Sequence, residues 1–207
     1  MKELIIKDLK VNVSDKFDIN QRVNCFTIEL YDNSETLDYI SIFNIVSSVE
    51  FYSCKYYVVL HDKDIINDMG ELKKAHYHLL VKLDNAIDIK KIYDILNYSN
   101  NERTLQAIVN NLSVVKSFKS MVRYLIHRDN KEKYQYNLED IFTNDKSISY
   151  YFNDNTIIDN FQMIYKIIEE NNIINFKNLI KWCVENNNIY AMQYIQDNAY
   201  LVSCLFR

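Results

Sequence analysis

With one glycine and no proline among 207 residues, this chain has few standard ways to reverse direction. Its tight turns must use Asn, Asp and Ser, whose short side chains bond nearby backbone groups. Element boundaries are therefore sought at clusters such as Asp32-Asn33-Ser34 and Asn186–Asn188. An apolar content of 48% supports a hydrophobic core, and the length suits one main domain plus a small appendage. No uninterrupted apolar run approaches the ~20 residues of a membrane span. The start, MKELIIKDLKVNVSDKF, lacks the apolar block and cleavage site of a signal peptide. The expectation is a soluble, cytoplasmic protein with no membrane partner. Heavy use of Asn, Ile, Lys and Tyr fits an AT-rich genome. Cys25, Cys54, Cys183 and Cys204 are scattered without a CxxC pair. That argues against a zinc ribbon, a redox motif or a disulfide framework.

Residues 1–22 read as a polar lead-in with one short strand at Leu4–Ile6. Strands are expected at 23–31 (VNCFTIELY), 55–61 (KYYVVLH), Ala75–Leu83 and 104–110 (TLQAIVN), from their β-branched and aromatic content. Helical spacing of apolar residues marks 35–51, 87–98 and 113–127. In the last of these, Val114, Val115, Phe118, Met121, Val122 and Leu125 form one stripe. Residues 128–156 are polar and irregular, apart from an apolar island at Leu138–Phe142. Beyond Ile157 the pattern is helical, with Asn175 as a cap. These features place domains at 1–22, 23–148 and 149–207. Because the second and third strands are joined by a loop without a helix, an antiparallel pair is favoured. The fold class read here is α+β: an antiparallel sheet with packed helices, followed by an all-α region.

Three of the four histidines lie within 18 positions, at His61, His76 and His78. Alternate strand residues share a face, so His76 and His78 can offer two adjacent imidazoles to a divalent metal. An antiparallel neighbour brings His61 to the same spot, and Asp64 can fold back from the loop as an oxygen ligand. The plainer reading of His-x-His is two polar residues on a solvated face; His61 and Asp64 nearby favour the metal. Mn²⁺ or Mg²⁺ suits phosphate chemistry, and Zn²⁺ could bind a similar set.

The segments YYVVLHDKD (56–64), KKAHYHLLVKL (73–83) and MVRYLIHRDNKEKYQY (121–136) resemble, in order and spacing, the motifs of plasmid rolling-circle Rep proteins of the RepB type. These belong to the His-hydrophobic-His (HUH) endonucleases. The likeness covers roughly residues 23–145. It implies an HUH endonuclease-like sheet, similar to ferredoxin and RNA-recognition folds. It also implies metal ligation by His61, Asp64, His76 and His78, and Tyr124 as the nucleophile. One departure is Tyr77 between the paired histidines, where an aliphatic residue is usual. The implied activity is nicking and rejoining of one DNA strand at a plasmid origin, single-stranded or in a hairpin. Implied partners are the origin, host replication proteins in a bacterial cytoplasm, and further copies of the chain through the C-terminal helices. Intramolecular packing of those helices is the plain alternative.

Phosphodiester cleavage by a phenol needs its anionic charge neutralised and its nucleophile in line with the leaving oxygen. A free phenol ionises only near pH ~10, so a metal, base or cation must assist. Without the resemblance, Tyr124 is not separable from Tyr134 or Tyr136, which read as packing residues. Lys116, Lys119 and Arg123 bring positive charge to the same helix. His127 could contact phosphate, although a histidine stabilised by the helix C-terminus is the favoured reading. Lys73, Lys74, Lys82, Lys90, Lys91, Arg128, Lys131 and Lys133 are further candidates for phosphate contact, each more readily explained as a solvated charge. The net charge is −4, but residues 60–135 hold 13 basic against 10 acidic residues, which permits a local DNA-binding surface. A relaxase places its tyrosine before the histidines, and small transposases lack the helical tail. A non-catalytic DNA-binding regulator is the alternative from another class.

Overall fold

The β-branched and aromatic content of 22–31, 56–60 and 79–81 supplies the three long strands of the sheet interior. The computed structural model describes residues 2–6, 9–13, 18–31, 46–47, 53–66, 70–96, 106, 108, 110–155 and 157–206. It divides into two units, Met1–Asp145 and Lys146–Arg207.

In the first unit, β1 (Lys2–Ile6) and β2 (Leu9–Val13) form an antiparallel ribbon. The main sheet contains β3 (Arg22–Tyr31), β4 (Cys54–His61), β5 (His76–Asp88), β6 (Leu112–Val114) and β7 (Phe142–Thr143). Its order is β6-β3-β5-β4-β7, with every pairing antiparallel. The architecture is thus α+β, as the loop between the second and third predicted strands required. One face carries Phe26, Ile28, Leu30, Val58, Leu79 and Val81. These join Ile89, Ile92, Tyr93 and Leu96 of α1 (Ile89–Leu96) in the main core. The opposite face carries the histidines.

β5 runs five residues past its expected end at Leu83, because its polar tail still pairs with β3: Val23 faces Ile87 and Arg22 faces Asp88. α1 then begins at Ile89. Its first amide groups, which have no partner within the helix, donate to the carbonyls of Gln21 and Ile19.

Two expectations are corrected. The strand expected at 104–110 is helical at its described positions Gln106, Ile108 and Asn110. Ile108 is buried and Gln106 bonds Asn110 one turn on; a short apolar run is compatible with either period until packing decides. The helix expected from residue 113 starts only at Phe118. Leu112–Val114 instead pair with β3 at the sheet edge, where β-branched Val114 fits. Ser117, extended and accepting from the Ser120 amide, caps α2 (Phe118–Tyr124). The predicted helix 35–51 lies outside the described residues, apart from two helical positions at 46–47.

The second unit holds α3 (Ile157–Glu170), α4 (Phe176–Glu185), α5 (Ile189–Asp197) and α6 (Ala199–Ser203). Its interior contains Ile164, Leu179, Cys183, Tyr194 and Val202. With glycine absent here, Asn172 and Asn187 take the left-handed conformations at the breaks, with φ of 51° and 49°. Asn175 accepts from the Asn178 amide at 2.9 Å. Asn175→Ala should lower the stability of this unit by about 1 kcal/mol, measurable as a shift in the urea midpoint.

Candidate metal centre and tyrosine site

β5 is the middle strand of the sheet, and its register sets the site. His61 on β4 lies directly opposite His76. On the other side, Tyr31 faces His76 and Glu29 faces His78. Cross-strand partners share a face, so three imidazoles and a carboxylate converge there. The ring centroids of His61 and His78 are 4.5 Å apart, and those of His76 and His78 4.9 Å. One nitrogen from each of His61, His76 and His78 lies within 4.8 Å of the others.

Asp64 returns to this cluster because its loop folds on itself. Ile65 bridges Leu72, and the Lys73 amide donates to the Asp64 carbonyl at 2.7 Å. Gly70, at φ 79°, supplies the left-handed residue that the return needs. Asp64 Oδ2 then stands 3.4 Å from His61 Nδ1.

The rings are oriented by backbone carbonyls. His61 Nε2 donates to Leu125 O at 2.7 Å, which leaves its Nδ1 as a lone pair. That Nδ1 is buried without a hydrogen-bond partner. His76 Nδ1 donates to Lys74 O at 2.9 Å, which leaves the lone pair on Nε2. Anchoring one nitrogen so that the other can bind is how ligand histidines are held. Burial drives His61 down to about 4, against the opposing pull of the Leu125 carbonyl and Asp64. Burial and the neighbouring imidazoles take His78 to about 3, and burial also lowers His76. At neutral pH the rings are uncharged, the form that ligates. An orphaned buried nitrogen, neutral imidazoles and an adjacent carboxylate fit a divalent cation.

Glu29 was not anticipated from the sequence. Burial pushes its carboxyl up, but hydrogen bonds from Lys73 (2.8 Å) and Tyr31 (2.7 Å) outweigh this and hold it at about 2. The available signal was a carboxylate between the apolar residues Ile28 and Leu30 of a strand. Lys73, a candidate DNA contact, is thereby committed to Glu29 and lies 3.4 Å from His76 Nε2.

α2 brings Tyr124 to the cluster. Its ring stands edge-on to His78 at 5.9 Å and to His127 at 5.2 Å. Lys133 donates to the Tyr124 hydroxyl at 3.0 Å and lies 4.8 Å from its ring centroid. The other tyrosines now separate from it. Tyr136 is buried, stacks on His61 at 4.5 Å, donates to Asp64 Oδ1 and accepts from the Lys63 amide. Burial and Asp64 push its phenol up, keeping it protonated. Tyr134 accepts from Lys63 Nζ and packs on Tyr136. Tyr136→Phe keeps the stacking but frees the Asp64 oxygen. It should cost about 1–2 kcal/mol in stability and weaken Mn²⁺ binding roughly tenfold, read by chemical unfolding and titration calorimetry.

The helix ends at Tyr124, earlier than the expected residue 127, and His127 follows it in a turn; its ring is fully buried, so it is not exposed for the phosphate contact considered for it. Arg123 pairs with Asp129 through two hydrogen bonds. Lys74, Lys116, Lys119 and Arg128 are exposed.

Residues 18–148 match the family described as plasmid replication protein, origin binding domain, and the chain belongs to that family. It is 42% identical over 84 residues to replication protein RepB of Lactiplantibacillus plantarum, covering 41% of this chain and 34% of that protein. It is 31% identical over 125 residues to a replication protein of Staphylococcus aureus, covering 59% of this chain and 54% of that one. A replication protein of onion yellows phytoplasma is 24% identical over 127 residues, 56% of this chain and 31% of that protein. The chain thus spans about a third to a half of the length of the curated relatives it matches. Among the described residues, no helix is long and apolar enough to cross a membrane.

Proposed function

We propose that this chain binds a plasmid origin and nicks one DNA strand there, initiating rolling-circle replication, with Tyr124 as the nucleophile. His61, Asp64, His76 and His78 would hold a divalent ion, Mn²⁺ or Mg²⁺. When bound, that ion neutralises charge on the scissile phosphate and orients it. The observation that carries the reading is the Tyr124 phenol standing against His78, with the Lys133 ammonium on its oxygen.

In the step, the Tyr124 oxygen bonds to phosphorus and the bond from phosphorus to the 3′ oxygen breaks. The phenol proton is lost to solvent, and the leaving oxygen takes one up. The products are a 5′-phosphotyrosine and a free 3′-OH. The phosphotyrosine conserves the phosphodiester energy, so the reverse attack rejoins the strand without ATP. Lys133 holds the phenol oxygen and offsets negative charge where it attacks. Packing against His78 and His127 fixes the ring, which limits the orientations that must be frozen out on reaction.

The exposed Lys74, Lys116, Lys119 and Arg128 supply phosphate contacts that position the strand without reading its sequence. The helical unit exposes the apolar side chains Ile158, Ile174, Val184 and Tyr200, which association with further copies would cover. Incubation with a pool of single-stranded oligonucleotides and Mn²⁺, followed by mass spectrometry of the protein–DNA adduct, tests the reaction. The adduct is expected on the peptide containing Tyr124. Attachment at another residue, or cleavage without attachment, would overturn it.

A further inference from the structure

His127 carries two local penalties that the proposed reaction does not explain. Its φ is 55°, in the left-handed region where a side chain crowds its own backbone. Its ring is fully buried, and Nε2 has no hydrogen-bond partner, so that nitrogen has given up water for nothing in return. Strain and an orphaned polar atom in one residue need an explanation in function.

The ring is also aimed. Its Nδ1 donates to Tyr134 O at 2.8 Å, which places the lone pair on Nε2. His61 is held by the same device, with Nε2 on a backbone carbonyl and Nδ1 without a hydrogen-bond partner, and His76 Nδ1 likewise donates to a backbone carbonyl. The His127 ring centroid is 4.6 Å from that of His61, and Nδ1 is 3.7 Å from Asp64 Oδ1. One donor atom from each of His61, Asp64 and His127 lies within 4.8 Å of the others. This second donor set shares His61 with the set formed by His76 and His78. All four histidines of the chain thus stand in one cluster.

We propose that His127 is a metal ligand, binding through its unpartnered Nε2 in the set it forms with His61 and Asp64. The proposal rests on the reading that this cluster holds the divalent ion, and it enlarges the protein ligand set by one imidazole. It also gives the ion a mechanical role. The His127 amide donates to the Tyr124 carbonyl at 2.9 Å, so a bond from the ion to His127 ties the end of α2 to the sheet. The ion and the nucleophile are then coupled through a short stretch of backbone.

The chain's few histidines make the test direct. Protein labelled with ¹⁵N only in histidine is loaded with Mn²⁺, and the coordinated nitrogens are counted by pulsed electron paramagnetic resonance without DNA. The wild-type protein is expected to show all four histidines coupled to the ion. His127→Asn, an exchange that tolerates the left-handed backbone, should lose one coupling and bind Mn²⁺ about ten- to a hundredfold more weakly. Mn²⁺ should slow amide exchange across 124–130 in the wild type and not in the variant. An unchanged nitrogen count and Mn²⁺ affinity in His127→Asn overturn the proposal. So does a wild-type count one short of four, which needs no variant to fold. A His76→Ala control separates the two readings. If it loses a nitrogen while His127→Asn does not, only the role of His127 falls. If the wild type shows no histidine coupling, the metal reading falls with it.

Discussion

Tyr124→Phe is expected to abolish strand nicking, by a factor on the order of 10⁴ or more, the scale on which enzymes lose turnover with their nucleophile. The exchange removes one oxygen and little else. The ring contacts with His78 and His127 do not need the hydroxyl. The lost hydrogen bond is to Lys133, on the exposed side of the site, and such contacts contribute little to stability. Unfolding midpoint, Mn²⁺ affinity and origin binding should therefore match the wild type while product formation disappears. Neither nearby tyrosine can substitute. The Tyr136 hydroxyl is engaged by Asp64 and Lys63, and its phenol is held protonated by burial. Tyr134 is turned toward Lys63. Equal nicking by the two proteins would remove Tyr124 from the mechanism.

The second large effect is on stability against pH. The metal-free protein should lose stability as pH falls from about 6.5 to about 4, by several kcal/mol in total. In the unfolded chain each histidine protonates near its ordinary value of about 6.5. In the folded protein burial holds His61 at about 4 and His78 at about 3. Across that window the unfolded state binds more protons, so acid favours unfolding. At pH values above the ordinary histidine range both states are neutral at these sites and the contribution is fully present. Each tenfold difference in proton affinity between the folded and unfolded chain corresponds to about 1.4 kcal/mol. The rings influence one another, so their joint effect is smaller than that of two independent histidines. His78→Ala should flatten the profile and also weaken Mn²⁺ binding about a hundredfold or more. Urea denaturation in EDTA, followed from mildly acidic to neutral pH, measures the first effect. A slope in His78→Ala as steep as in the wild type would exclude its imidazole as a source. With Mn²⁺ present the acid loss should steepen, because ligation demands unprotonated rings.

The metal ligand candidates were legible because strand periodicity is local. His76 and His78 share a face by the two-residue repeat alone, and the loop between 61 and 76 is compatible with an antiparallel return. Glu29 was not legible, because its place opposite His78 depends on which strand pairs on the far side of β5. The short β6 was missed for a related reason. Val114 and Val115 continue an amphipathic stripe, and only the free edge of β3 draws Leu112–Val114 into the sheet.

Residue order by itself determined the three long strands of the sheet, the antiparallel return that pairs His61 with His76, the Asn175 cap of the helical tail and the family motifs, since each depends on neighbours within a few positions. Tertiary structure decided that Tyr124 stands edge-on to His78 with Lys133 on its hydroxyl, that Tyr136 serves Asp64, that Lys73 belongs to Glu29, and that His127 is buried with a free nitrogen. Those outcomes follow from contacts between segments far apart in the chain, where burial and hydrogen bonding to distant backbone, rather than local propensity, select the side-chain environment.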